Sequence, residues 1–173
     1  MTHEELLTHI IHWRRDLHAI PEMGNSEWET SAYIERAVGE TRPDSACTLA
    51  GTGKKFVYRC GRAGAPALAF RADMDGLPVT ENSIYPYPSR HAGMMHACGH
   101  DGHMSALLAL AHIAGRMRDE GRLEVDVVLL FQPAEETTGG AARMLEEGAL
   151  EVPHVCAIFA FHLMPQVDAT PIA

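Results

Sequence analysis

The sequence predicts an α/β fold in three layers, and two observations carry that expectation. Amphipathic helical periodicities alternate with short, continuous apolar runs of strand length. The residues equipped for chemistry fall at or just past the ends of those runs, where α/β sheets place their sites.

Leu6, Leu7, Ile10, Ile11, Trp13 and Leu17 recur at three- and four-residue spacing and predict a helix over 3–19, ending before Pro21. Ser26 with Glu29 three residues on has the form of a capping box, opening a second helix through Val38 that Gly39 and Pro43 close. KFVYRC (55–60) and ALAFRAD (67–73) read as two strands around the turn GRAGAP, in the form of a hairpin. Pro78, Pro86 and Pro88 mark 76–95 as a surface loop. Met104 to Met117, rich in Ala, Leu and Met, predicts a buried helix. VDVVLLF (125–131) predicts a fully buried strand leaving through Gln132 and Pro133, and a helix over 139–148 follows. VCAIFAFH (155–162) predicts a last buried strand ending in a histidine. No repeat, low-complexity tract or long linker breaks the series, so one domain is expected.

The 173 residues are 46% hydrophobic and 21% charged, which excludes a disordered or fibrous chain. A chain of this size buries about two-thirds of its unfolded surface, enough for a core without staples. Fourteen Lys and Arg against 23 Asp and Glu give a net charge of −9, which argues against nucleic acid or an anionic membrane surface as partner. Glu4, Glu5, Arg14 and Arg15 interrupt the N-terminal apolar run, so neither signal peptide nor membrane anchor is read there. VDVVLLF falls far short of the roughly 18 to 20 residues that span a bilayer. Cys47, Cys60, Cys98 and Cys156 are scattered without a CxxC pair, as expected of reduced thiols in a cytoplasmic protein.

The densest chemistry lies in His96, Ala97, Cys98, Gly99, His100, Asp101, Gly102 and His103: a thiol, three imidazoles and a carboxylate beside two glycines. Thiolate with imidazole suits Zn²⁺, Mn²⁺, Co²⁺ or Fe²⁺, and the glycines let the backbone turn so that side chains converge. A His-rich surface loop with a buried cysteine is the competing explanation. Glu135 and Glu136 follow the strand in FQPAEETTGG; adjacent carboxylates repel, and a nearby cation relieves them. One would bind the ion while the other works as a general base, unless both are solvated acids at the start of the next helix. Asp73 and Asp75 sit two apart at a strand end and so share a face, although loop-capping aspartates are common. His162 ends its strand at a ligand-binding position, where a lone histidine is more often a satisfied core residue. GTGK (51–54) lacks the spacing of a phosphate loop, and HExxH and GxSxG are absent. His3, His9, His12, His18, His112 and His154 are expected on helix faces or loops.

Taken in order, RRDLHAIPEMGNSEWET, RADMDGLPVTE, MHACGHDGHMSALLALA, FQPAEETTGGAARMLEEGAL and FAFHLMP resemble the motifs of the N-acyl-amino-acid amidohydrolases. That family includes hippurate hydrolase, auxin-conjugate hydrolase and N-acetyldiaminopimelate deacetylase, within the aminoacylase and carboxypeptidase-type metallopeptidases. The resemblance runs from about Arg14 to Pro165. It implies a three-layer α/β/α zinc-peptidase-like catalytic domain. It also implies that Cys98, His100, Glu136 and His162 are metal ligands for a pair of divalent ions (Mn, Zn or Co), with Glu135 as base. Asp75 takes the place of an aspartate that orients a ligand, and Asp73 that of a ligating histidine in strictly dizinc relatives; Asp73 and His103 are expected to support the ligands. The implied reaction is hydrolysis of an N-acyl amino acid or peptide amide: Glu135 deprotonates metal-bound water, hydroxide attacks the polarised carbonyl, and Glu135 protonates the leaving amine.

Family members are about twice this length, with a lid and dimerisation domain after the FHLMP region and a last histidine ligand beyond it. Residues 1–173 thus match the N-terminal segment of the catalytic domain, with four of five expected ligands and the base. Two expectations follow. One is an amidohydrolase, completed elsewhere or by association, with a homo-oligomer left open. The alternative is a truncated, inactive metal-binding fragment, which should expose an apolar face and an open sheet edge.

Overall fold

The computed structural model describes residues 2–82, 84 and 86–164. Pro165 and the tail PQVDATPIA lie outside the described residues, as do positions 83 and 85 of the expected loop.

The helices α1 (His3–His18) and α2 (Trp28–Gly39) precede the strands β1 (Ser45–Leu49), β2 (Gly53–Tyr58) and β3 (Ala67–Asp73). Then come α3 (His100–Asp119), β4 (Asp126–Gln132), α4 (Gly140–Glu146) and β5 (Val155–Ala160). The strands form one sheet in the order β1-β2-β4-β3-β5, antiparallel from β1 to β4 and parallel across β4, β3 and β5. Trp13, Leu17, Ile34, Val38, Met104 and Leu108 of α1 to α3 pack with Phe56, Tyr58, Leu129 and Phe131 on one face. Met144 of α4 packs with Val57, Ala69, Val128 and Leu130 on the other. The expected three layers are present, and period-2 alternation divides the apolar residues of β2 and β4 between two covered faces.

Several local expectations change, and one strand was not expected. The strands at 55–60 and 67–73 do not form a hairpin: β4 lies between them, pairing antiparallel with β2 and parallel with β3. All seven residues of β4 are buried, so it needs a neighbour on both sides, and apolar runs do not say which neighbour. The short strand β1 has no apolar pattern of its own and is exposed along four of its five residues. Ser26 does not cap α2: Glu27 holds the cap position, and the carboxylate of Glu22 accepts the first free amides, from Glu29 (3.1 Å) and Thr30 (2.9 Å). Finally, β5 is an edge strand rather than a buried one, with Ile158 and Phe159 half exposed and Phe159 stacked on Phe70. Among the described residues β5 pairs with β3 alone, so its outer edge and these apolar side chains are open.

The described residues of 76–95 form a loop closed at its base by the paired hydrogen bonds of Leu77 and Met95. Helix α3 starts at His100, earlier than expected, so the second half of CGHDGH is its first turn. No helix among the described residues is long and apolar enough to cross a membrane.

Candidate metal centre

Three parallel strands deliver their C-terminal ends to one side of the sheet. Asp73 ends β3, with Asp75 two residues on; Glu135 and Glu136 follow β4; His162 follows β5. Helix α3 aims its N-terminus at the same place after a left-handed Gly99 (φ 82°), putting His100 and His103 one turn apart on one face. The convergence is the arrangement expected of a site in a sheet of this kind.

His100 is the centre. Its ring is buried, and Nδ1 donates to the backbone carbonyl of Asp75 at 2.8 Å. That bond directs Nε2 into the site, where it is buried and, among the described residues, makes no hydrogen bond. Asp73 Oδ2 and Glu136 Oε1 each lie 3.6 Å from it. Ligand atoms come within 4.8 Å of one another in three overlapping groups: Cys98, His100 and His162; Asp73, His100 and His103; and His100, Glu135 and Glu136. A buried, unpaired imidazole nitrogen facing carboxylates and a thiol is the environment of a divalent cation, and the donor set fits one.

The supporting contacts are specific. Asp73 accepts from His103 Nδ1 (2.7 Å) and Arg71 Nη1 (2.8 Å). Asp75 Oδ2 accepts the Glu136 amide at 2.9 Å, so the residue that orients His100 also holds the acidic loop. His103 Nε2 accepts the Leu163 amide at 2.9 Å, which leaves both of its nitrogens engaged. It therefore supports Asp73 and the His162 segment. The His162 Nδ1 donates to the Leu163 carbonyl (2.8 Å), and Nε2 lies 3.6 Å from Cys98 Sγ. Gly102 is helical, contrary to its expected part in a turn; a Cβ there would meet Leu163 Cδ1 at 2.5 Å.

Electrostatics agree with a cation site. Burial pulls the Asp73 carboxyl upward, but the His103 bond and the charges of His100 and Arg71 outweigh it, and it ends below the ordinary value. Asp75 is likewise pulled up by burial and carried below its ordinary value by His100 and the amides of Glu136 and Glu135. Burial, followed by Glu136, Asp73 and Glu135, pushes the Cys98 thiol up to about 11.

Of the expected residues, the structure brings together Cys98, His100, Glu135, Glu136, His162, Asp73 and Asp75. His162 lies two residues beyond its strand and is exposed, not at the end of a buried one. Glu135 and Glu136 precede the N-cap of α4 at Gly139, so they are not the solvated first turn of a helix. His96 and Asp101 join none of the ligand groups. Asp101 turns to α1, accepting from His18 Nδ1 (2.8 Å) and Arg14 Nε (3.0 Å). His96 is buried with both ring nitrogens unpaired, and burial pulls it down to about 4. His18, assigned to a helix face, is buried and bonded to Asp101 and Glu81, a role no sequence pattern signals. Glu27 is a second residue that the sequence reading missed: it is buried, and its carboxylate reaches the Glu135–Glu136 loop.

A family model described as Peptidase family M20/M25/M40 matches residues 69–172. Among curated proteins, an uncharacterized hydrolase of Staphylococcus aureus is 42% identical over 155 residues, covering 90% of this chain and 40% of its own. The N-acetyldiaminopimelate deacetylase of Oceanobacillus iheyensis is 40% identical over 160 residues, covering 92% of this chain and 42% of its own. The Bacillus subtilis YXEP protein, described as a dinuclear metal binding peptidase, superposes with a TM-score of 0.86 at 37% identity, over 95% of this chain and 45% of its own. The chain thus spans 40% to 45% of the length of these relatives.

Proposed function

The chain belongs to Peptidase family M20/M25/M40, and on that premise we propose that it forms the metal-binding part of a hydrolase acting on the amide bond of N-acyl amino acids or small peptides. One observation carries the reading: the buried, unpaired Nε2 of His100 faces carboxylates, with Cys98 and His162 beside it. The deacetylase and dinuclear peptidase among the relatives support both substrate class and a pair of ions.

Cys98, His100, Glu136 and His162 would hold divalent ions, with manganese, zinc or cobalt compatible with thiolate, imidazole and carboxylate donors. Bound there, the ions supply Lewis-acid polarisation of the amide carbonyl and make water a stronger acid. Glu135 lies within the same group as His100 yet is exposed, so its carboxylate takes the proton of the attacking water and returns it to the leaving nitrogen. Asp75, through its carbonyl, fixes the His100 ring so that Nε2 would be available to a bound ion. Asp73, tied to His103 and Arg71, adds negative charge to the floor.

The test is hydrolysis of hippurate and N-acetyl amino acids by the 173-residue chain after loading with Mn²⁺, Co²⁺ or Zn²⁺. Turnover that depends on the metal and is lost in Glu135→Gln supports the reading, and full activity in that variant removes Glu135 from its role. Cys98→Ala should lose metal. The half-exposed apolar face of β5 favours a second reading, a metal-binding segment without activity of its own. A folded, metal-loaded chain with no turnover would establish it.

A further inference from the structure

Glu27 is 0% exposed, an expensive place for a carboxylate, and among the described residues no cation pairs with it. It occupies the cap position of α2 without capping that helix, because Glu22 takes the helix amides. Its oxygens go elsewhere: Oε2 accepts from the Thr52 hydroxyl (2.6 Å) in the β1–β2 turn, and Oε1 accepts from the Ala134 amide (2.7 Å).

Ala134 has φ +52°, a left-handed conformation that a residue with a Cβ adopts only where its surroundings impose it. It is the residue directly before Glu135. The chain around Glu27 lies against the rest of the same loop. A Cβ on Gly24 would collide with Thr137 Oγ1 and lie 2.9 Å from Ala134 Cα. Asn25 Nδ2 donates to Thr138 Oγ1 (3.0 Å), and Asn25 Oδ1 accepts from Arg143 (2.9 Å).

We propose that Glu27 is a positioning residue for the Glu135–Glu136 loop, its buried carboxylate holding the amide of the left-handed Ala134 at which the chain swings both acids beside His100. The role rests on the reading of Glu135 and Glu136 as working groups of a metal site. Glu27 touches neither ion nor substrate. It anchors the loop through the Ala134 amide, as Asp75 does through the Glu136 amide.

The test compares the wild-type chain with Glu27→Ala, Glu27→Gln and Ile34→Ala, the last removing buried packing of α2 at a residue with no part in the loop. Two quantities are read: amide exchange at Ala134 and Glu136 relative to Leu129 in the central strand, and cobalt affinity from thiolate-to-cobalt absorption. Glu27→Ala is expected to speed exchange at Ala134 and Glu136 about tenfold beyond the change at Leu129 and to weaken cobalt binding about tenfold or more. Glu27→Gln keeps an acceptor for Ala134 and a group for Thr52, and should restore most of both. Ile34→Ala should shift Leu129 and the loop together and leave cobalt affinity near wild type. Equal effects of Glu27→Ala and Ile34→Ala, or failure of Glu27→Gln to rescue, would overturn the proposal. A wild-type chain that binds no cobalt overturns the metal reading, and amide exchange alone then decides the role of Glu27.

Discussion

The floor and the rim of the candidate site are built in different ways. Asp73, Asp75, His100 and His103 are each 1% exposed and sit on or next to β3 and α3. Cys98, Glu135, Glu136 and His162 lie on the loops before α3, after β4 and after β5, at least partly open to solvent. The floor is therefore placed by folding itself, because moving any member breaks a buried hydrogen bond. The rim is placed by a few tethers: Asp75 and Glu27 for the acids, His103 for the segment of His162. A metal site needs both, since rigid groups set where an ion goes and adaptable ones close around it.

The sharpest way to break the comparison is His100→Ala. It removes the shared member of all three ligand groups and leaves Asp73 and Asp75 buried without the imidazole between them. Metal binding should vanish, and the metal-free chain should lose about 3 kcal/mol of stability in urea denaturation. A loss below about 1 kcal/mol would show that the floor is not held by packing.

A smaller effect tests the wall behind the floor, where His18 and Arg14 of α1 grip Asp101 in the turn that carries His100. The hydrogen bond to Asp101, and then Glu81, raises His18 above its ordinary pKa against the pull of burial. A raised histidine stabilises the fold fully below its unfolded pKa of about 6.5, and the contribution fades as pH rises through the folded value. Wild type should therefore exceed His18→Gln by about 1 to 2 kcal/mol at pH 6, with the gap narrowing toward pH 9. A pH-independent gap would assign His18 to packing alone.

How much of this the sequence disclosed follows the same division. The helices over 3–19 and 139–148 and the strand 125–131 were legible, because period is a local property, whereas the candidate ligand set came from the resemblance of the ordered motifs. Pairing was not: the apolar runs of β2, β3 and β5 look alike in sequence, yet β2 and β3 each lie between two neighbours and β5 is an edge, which depends on what else packs nearby. Tethers were equally hidden. Ser26 and Glu29 satisfied a local capping pattern, while the helix amides go to Glu22, outside that pattern, and Glu27 reaches a partner that only the fold brings near. In HACGHDGH, identical imidazoles divide into a candidate ligand (His100), a support (His103) and a buried ring outside the ligand groups (His96), according to where α3 begins.

The smallest effect, and the finest test of the comparison, is His162→Ala in the metal-free chain. The ring is exposed, and Nδ1 bonds only to its own neighbour's carbonyl, so little of the folded framework depends on it. Its anchor is elsewhere, in the Leu163 amide on His103, and that backbone contact survives the substitution. Stability without metal should stay within about 0.5 kcal/mol of wild type. With saturating cobalt the variants should separate, because a ligand that binds only the folded state stabilises it in proportion to the logarithm of its affinity. Each tenfold loss of affinity removes about 1.4 kcal/mol of that gain. A metal-free loss above about 1 kcal/mol would make His162 part of the framework, and the rim would then be set by folding as the floor is.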